Sequence, residues 1–427
     1  MFSIVKQIFN PKNKDLQKRI LFTLAILFIF KLGTSIIVPG VNVSTKSLSI
    51  FEVINAMSGG AFERASIFAL GVSPYITAQI IIQLLCMDIV PYLADLSKQG
   101  GTGRRKLDQI TRVTGIVLAF LQGYLYSFAY IQNGSTSDYM LYSLVLTAGT
   151  ALVMWLADQI TQKGIGNGIS LIIMAGIIST LPQMFITAFN GMVTFKDTPQ
   201  MLLGLGAFLL FVIIYFLIII GVIFVQEAER RIPIQYANKS TSAFGGQQSF
   251  MPIKINSAGV VPVIFASSLI AVPGFIANLI KNDAFTNFVN NYLNYTKPVG
   301  FLIYVILIFF FGYFYTFIQL KPEDLSKNLQ NNGGYIPGIR PGKDTEKYVS
   351  KILSRLTIVG SLFLVVIAGL PILFGTFSKL DASVTIGGTG LLIVVGVALE
   401  TYKQLEGSLL TRSYKKGYKR RWWLSYF

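Results

Sequence analysis

Groups able to do covalent chemistry are scarce in this sequence. It has no histidine, which removes the commonest general base and the commonest metal ligand. Its one cysteine, Cys86, lies inside an apolar run, and a single thiol cannot form a disulfide within the chain. The acids nearest to apolar segments, Asp88, Asp158 and Glu400, fall towards segment ends and form no row that would suit an ion-coupled pump. Lys31 interrupts an apolar stretch, where a central charge costs about 2.5–3.5 kcal/mol on insertion scales; it is either a pore-side residue or snorkels outward. The glycine run Gly164-Ile165-Gly166-Asn167-Gly168 follows no strand, which excludes a phosphate loop. What recurs instead is branched aliphatic side chains at helical spacing. Val72, Ile76 and Ile80 share a face, as do Ile169 and Ile173, and Ile264 and Ile393 are their nearest counterparts later in the chain. Brought together, such residues would form a hydrophobic collar, and a narrow apolar constriction passes no ions because water leaves it. The same spacing also fits ordinary packing or lipid-facing surfaces. These residue types point away from an enzyme, a cofactor or a metal.

The elements that would position these residues are membrane spans. The 427 residues are 53% hydrophobic and 13% charged, about half the charge of an ordinary soluble domain. Repeated apolar stretches of about 20 residues are long enough to cross the hydrocarbon core as helix. Ten are predicted, at 20–38, 73–93, 113–132, 139–160, 168–189, 201–225, 257–280, 299–320, 353–375 and 385–405. The first is polar and basic before residue 20 and meets no cleavage site, so it reads as a retained span. The net charge of +17 is unevenly spread: 29 of the 36 Lys and Arg fall in segments that lie on one side if the N-terminus is inside. Excess Lys and Arg mark the cytoplasmic face, so both ends are expected there. This divides the chain into a cytoplasmic N-terminus (1–19), a half of five spans (20–190), a second half (191–405) and a cytoplasmic tail (406–427). The basic loops 226–256 and 321–352 carry turn signals at Gly245-Gly246, Gly333-Gly334 and Pro337-Gly338, and loops of this length are usually functional or disordered. The basic, aromatic stretch 415–427 reads as an interfacial anchor. The outer segment 39–72 holds a weakly amphipathic stretch at 58–70, too short to span and able to enter the membrane only if buried in protein.

An internal repeat links the two halves. Gly71-Val72-Ser73-Pro74-Tyr75-Ile76 opens span 2 and Gly259-Val260-Val261-Pro262-Val263-Ile264 opens span 7. Gly123-Tyr124-Leu125-Tyr126-Ser127-Phe128 in span 3 matches Gly312-Tyr313-Phe314-Tyr315-Thr316-Phe317 in span 8 at nearly the same offset. Spans 5 and 10 both start glycine-rich. Five spans per half make matching spans antiparallel, an inverted repeat whose working site is expected between the halves. Thr77, Gln79 and Gln83 make span 2 unusually polar, and Ser267 and Ser268 do so for span 7. Polar contacts between helices are worth only about 0.6 kcal/mol on average, weak enough for such an interface to open.

These residues carry a resemblance. Over essentially its whole length the chain resembles the SecY-type channel subunit of the bacterial protein translocase. The carriers are Ser58-Gly59-Gly60 with Arg64-Ala65-Ser66-Ile67-Phe68-Ala69-Leu70-Gly71, Pro74-Tyr75-Ile76, Gly103-Arg104-Arg105-Lys106, the 164–170 glycine run, Arg230-Arg231-Ile232-Pro233, Ile264-Phe265-Ala266-Ser267-Ser268, the 334–342 loop and Gly387-Gly388-Thr389. The resemblance implies an all-α integral membrane protein of ten transmembrane helices, in two inverted five-helix halves around a central pore. It implies a pore ring of Val72, Ile76, Ile169, Ile173, Ile264 and Ile393. A short plug helix at about 58–70 would carry Ser58, Gly59, Gly60, Arg64 and Phe68. Spans 2 and 7 would form a lateral gate, with Thr77, Ile80, Gln83, Ser267, Ser268 and Val272 along it. Arg104, Arg105, Arg230, Arg231, Arg340 and Gly342 would meet a cytoplasmic partner, the SecA motor ATPase or a ribosome, whose RNA is a polyanion suited to arginine loops. SecE and SecG subunits, signal peptides, secretory preproteins and membrane lipids complete the implied partners, in the cytoplasmic membrane. An inverted-repeat solute transporter would need a polar midplane site and leaves the basic loops without a role. An accessory paralogue with dedicated substrates remains open within the family; the complete 334–342 loop and Arg230-Arg231 favour the general channel.

Overall fold

The computed structural model describes residues 13–39, 55, 58–87, 89–131, 134–193, 198–236, 249–280, 282–294, 297–378 and 387–424. The turn expected at Gly245-Gly246, the outer stretch 40–54 and the last three residues of the expected anchor lie outside them. So do the side chains of Ser268, Val272 and the rest of the 415–427 anchor. The chain divides into two compact units, Met1–Met184 with Val397–Phe427, and Phe185–Gly396.

In the first unit, α1 (Lys14–Gly33) leads to a run of turns at 58–72. There follow α2 (Ser73–Leu85), α3 (Pro91–Lys98), α4 (Gly101–Tyr130), α5 (Thr136–Lys163) and α6 (Gly168–Met192), the last crossing into the second unit after Met184. The second unit holds α7 (Thr198–Glu227), strands β1 (Glu229–Tyr236) and β2 (Ser249–Lys254), and α8 (Val261–Ile280). It continues with α9 (Asp283–Phe288), α10 (Pro298–Gln319), α11 (Pro322–Asn331), β3 (Gly334–Tyr335) and α12 (Lys343–Ser378). The last helix, α13 (Gly387–Leu424), passes from the second unit to the first after Gly396. Each of the ten predicted spans overlaps at least one of these helices, and the second overlaps both α2 and α3. Among the described residues, five helical stretches are long and apolar enough to cross a membrane by length and composition: 136–163, 168–192, 199–227, 298–331 and 343–370.

Three expectations need correction. Span 2, expected over 73–93, is a helix only to Leu85; the chain turns at Cys86-Met87 and restarts at Pro91, where proline suits a first helical turn. Thirteen residues rise about 20 Å, short of a hydrocarbon core of about 30 Å. Second, 58–70 is not the short helix expected but consecutive turns. Its amides bond at i−2 to i−5 or leave the segment altogether: Ile67 N–H donates to the Ile36 carbonyl at 3.0 Å, while Val38 N–H donates to the Ala65 carbonyl at 3.0 Å. Ser66 pairs antiparallel with Ile37, and Ala65 has a φ of 49°, outside the right-handed helical region. Third, described parts of the two long basic loops form an antiparallel sheet of order β2-β1-β3, missed from the sequence. Arg230 faces Ile253 and Tyr236 faces Gly334. Along β1 Ile232 and Ile234 point inward between exposed neighbours, the period of a half-buried strand. Ile232, Ile253 and Ile336 bury themselves with Val349 and Leu353 of α12, tying the sheet to that helix.

Candidate functional site

The G-V-x-P motif builds the same helix start twice. Gly71 and Gly259 have φ of 53° and 65°, a left-handed conformation that favours glycine. One residue on, the carbonyls of Val72 and Val260 accept from the amides of Ile76 (3.1 Å) and Ile264 (3.4 Å). Pro74 and Pro262 each occupy the second position of their helices, where no amide hydrogen is required. One turn further in, Ala78 and Ala266, also a matching pair, are fully buried. The second motif packs equivalently. A Cβ on Gly123 of α4 would lie 3.2 Å from Ser143 Oγ of α5, and one on Gly312 of α10 would lie 2.4 Å from Ser361 Oγ of α12. The repeated glycines therefore admit the neighbouring helix in both units.

The six aliphatic residues of the expected collar fall in both units. Val72 and Ile173 are buried in the first, where Ile76 and Ile169 are half-buried; Ile264 and Ile393 are buried in the second. Ile169 and Ile173 are set by the glycine run before them. Asn167 Oδ1 accepts from the amides of Ile169 (3.1 Å) and Ser170 (3.4 Å), an N-cap for α6. Gly164 and Gly168 lie so close to Thr23 Oγ1 and the Ala157 carbonyl that a Cβ would sit 2.4 and 1.8 Å from them. These glycines serve close packing.

Of the expected plug residues, Ser58, Gly59, Gly60 and Phe68 are held by their surroundings and Arg64 is exposed. Ser58 Oγ donates to the Asn55 carbonyl and accepts from the Phe62 amide (3.2 Å). Phe68 stacks on Phe30 with ring centroids 6.0 Å apart, in a slot that exists because residue 33 is glycine: a Cβ there would fall 2.0 Å from the ring. Three polar side chains that the sequence did not mark as a set converge on this segment. Lys31 Nζ donates to the Gly59 carbonyl (3.2 Å) and to Ser179 Oγ of α6 (2.9 Å). Tyr130 OH of α4 donates to the Phe62 carbonyl, and the Phe62 ring sits between Tyr126 and Tyr130. Lys31 stood out in the sequence as a misplaced charge; its partners, 28 and 148 residues away, did not.

Along the expected gate, Thr77 donates to Ser73 O within its own helix, and Ile80 and Gln83 are half-buried. Ser267 is buried and shares a 3.2 Å hydrogen bond with Tyr304 OH of α10. The arginines expected to meet a partner are exposed. Arg230 and Arg231 lie on β1, Arg231 paired with Glu229 at 2.8 Å, and Arg104 and Arg105 lie in the first turns of α4. Arg340 follows β3 in a loop closed by its neighbours. Thr345 Oγ1 donates to the Arg340 carbonyl (2.9 Å), Ser326 Oγ donates to the Gly342 carbonyl (2.8 Å), and Gly342 has a φ of 100°. The loop is thus shaped by backbone contacts that leave the guanidinium outward.

A family model described as SecY matches residues 66–402. A relative called "Protein translocase subunit SecY", from Halalkalibacterium halodurans, is 47% identical over 430 residues, covering 97% of this chain and 99% of that protein. The protein of the same name from Bacillus subtilis is 48% identical over 419 residues, covering 94% and 96%. Among solved structures, "The structure of a protein conducting channel" has a TM-score of 0.61 at 19% identity and covers 91% of this chain and 92% of its own. "Sec61 in the Canine ribosome-channel complex from the endoplasmic reticulum" has a TM-score of 0.60 at 18% identity, with the same coverages. The matched family model and the near-complete relatives together establish that this chain belongs to the SecY family, as a multi-pass membrane protein.

Proposed function

We propose that the chain is a protein-conducting channel that passes unfolded secretory polypeptides across the cytoplasmic membrane and releases membrane segments sideways. The observation that carries this reading is identity of 47% along 97% of the chain with a protein translocase subunit. The doubled G-V-x-P start supports it, since it sets an apolar residue, Ile76 or Ile264, at equivalent places in two helices. In this reading Val72, Ile76, Ile169, Ile173, Ile264 and Ile393 pinch the passage, and the 58–72 segment closes it at rest. Helices α2 and α8 part to admit a signal helix, with Thr77, Ile80, Gln83, Ser267, Ser268 and Val272 along the opening. The signal helix gains about 25 cal/mol for each Å² of apolar surface it removes from water. That gain moves the gate; polypeptide movement needs a motor, for which the exposed Arg230, Arg231 and Arg340, with Arg104 and Arg105, are the docking groups. The partners are SecE and SecG in the membrane and SecA or a translating ribosome on the cytoplasmic side, where the excess of Lys and Arg also puts both termini.

Reconstitution tests it. The chain, with SecE and SecG, is placed in vesicles with SecA, ATP and a preprotein carrying an intact signal. Protease-protected preprotein that depends on the chain and on ATP is the expected result. Absence of protection, with SecA bound and hydrolysing ATP, would remove the channel reading.

A further inference from the structure

We propose that Lys31 and Tyr130 determine how strictly the channel selects signal sequences, by holding the 58–72 segment through its backbone. This rests on the reading of that segment as the closure at rest. Both side chains donate to main-chain carbonyls three residues apart, Lys31 Nζ to Gly59 and Tyr130 OH to Phe62. The acceptors of both bonds are thus set by the backbone path of the segment. Its two charged residues, Glu63 and Arg64, are exposed. The same stretch is seated at its far end by Phe68 against Phe30 and Gly33, and the Ile67 carbonyl lies against Gly149 of α5.

The Lys31 ammonium makes the grip conditional. Its two acceptors here, the Gly59 carbonyl and the Ser179 hydroxyl, are neutral, and Ser179 Oγ itself donates to the Gly176 carbonyl at 2.7 Å. When the segment leaves, the ammonium loses the Gly59 oxygen and must find water in its place. Departure is thus favourable only once the passage is wetted, as it is when a polypeptide has entered. A signal that binds the gate weakly does not hold the passage open long enough, and the segment stays. Tyr130 adds a second bond whose loss is opposed by the packing of Phe62 between Tyr126 and Tyr130. Together the two bonds set the threshold a signal must exceed.

The experiment measures export in cells whose only copy of the chain is the variant, using one preprotein with an intact signal and one whose signal core carries an arginine. The readout is the ratio of defective to intact export, with abundance followed in parallel. Lys31→Met and Tyr130→Phe are each expected to raise the ratio about fivefold, as loss of one hydrogen bond from the closed state requires. Lys31→Arg, which still donates to Gly59, should stay near the wild-type ratio. A role in folding alone would lower abundance and intact export without raising the ratio. Tyr130→Phe removes a single oxygen and decides the matter if Lys31→Met fails to accumulate. Wild-type ratios in the substituted chains, alongside a raised ratio when 58–70 is deleted, would overturn the grip and leave the closure reading standing. An unchanged ratio on that deletion would overturn the closure reading as well.

Discussion

The helices α2, α4 and α5 of the first unit and α8, α10 and α12 of the second are assembled alike and preceded by different things. In both, a left-handed glycine, a capping valine carbonyl and a first-turn proline start the short helix, and a glycine in the next helix meets a serine in the third. Yet α2 has 13 residues and follows a buried run of turns, whereas α8 has 20 and follows a strand of an exposed basic sheet. The helix–helix contacts match because small residues let the backbones approach closely at both places. The segments leading into them differ, and each satisfies its backbone in its own way. The first is a run of turns that accepts hydrogen bonds from Lys31 and Tyr130; the second is a sheet with Arg230 and Arg231 exposed. In the proposed reading the segment before α2 serves closure, as a stopper, and the sheet before α8 serves attachment, as a platform.

The largest effect that division predicts is on the platform. Arg340→Glu reverses an exposed charge whose loop is held by backbone contacts to Thr345 and Ser326, so folding should survive. Export should fall by about a hundredfold or more, as for reversal of a charge at a partner contact, with membrane insertion and abundance unchanged. Pulse-labelled preprotein processing measures it. Normal export would move attachment elsewhere and break the comparison.

A second pair of changes asks whether the stopper is as tightly built as the platform helices. Gly149 of α5 and Gly369 of α12 lie in corresponding helices. A Cβ at Gly149 would come 2.0 Å from the Ile67 carbonyl oxygen, and at Gly369 it would come 3.1 Å from the edge of the Phe301 ring. Backbone cannot rotate away, whereas a ring can shift. Alanine itself favours a helix over glycine by about 1 kcal/mol. Gly149→Ala should therefore destabilise by about 2 kcal/mol, in the range of overpacking, and Gly369→Ala should be neutral or slightly stabilising. Thermal unfolding in detergent distinguishes them; equal shifts would mean the 58–72 segment yields easily.

How far these features were legible depended on whether their cause was local. The apolar stretches and both G-V-x-P starts were plain, because hydropathy and a proline's position act within one or two turns. The early end of α2 was hidden, since the run from Ile80 to Cys86 is apolar but for Gln83 while the backbone turns at its end. The turns at 58–72 read as a weak helix because the acceptor and donor that break it, Ile36 and Val38, lie about thirty residues earlier. The sheet was missed although Ile232 and Ile234 alternate with exposed residues; Arg230 and Arg231 drew the eye to charge instead of period. Of the candidate site, the residue types were readable and the contacts were not, Lys31 with Ser179 above all.

The proposed collar draws on both units and offers an intermediate effect. Asparagine at Ile264 or Ile393 should loosen the closed state and raise export of a preprotein with a defective signal by about tenfold, equivalent to about 1.4 kcal/mol of lost apolar contact. Ile173→Asn should do the same if both halves close the passage equally. Unchanged or stricter selectivity in all three would count against the collar. A response only at Ile264 and Ile393 would assign closure by side chains to the second half alone.

The smallest effect concerns how each half steadies its gate helix. In the second, Ser267 of α8 meets Tyr304 of α10 through a 3.2 Å hydrogen bond. The positions that match by the repeat offset in the first half are Gln79, which is exposed, and Gly115, whose Cβ would sit 3.3 Å from the Tyr75 backbone. One helix is thus pinned by a hydroxyl pair and the other by close backbone approach. Ser267→Ala and Tyr304→Phe should show a coupling of about 0.6 kcal/mol in a double-mutant cycle read by unfolding in detergent, the average for such bonds between membrane helices. Thr77→Ala should leave stability within about 0.5 kcal/mol, because its hydroxyl donates to Ser73 in the same helix. A coupling of zero for the pair would put the second half's gate helix under the same packing control as the first, and the difference between the two halves would then lie wholly in the segments that precede them.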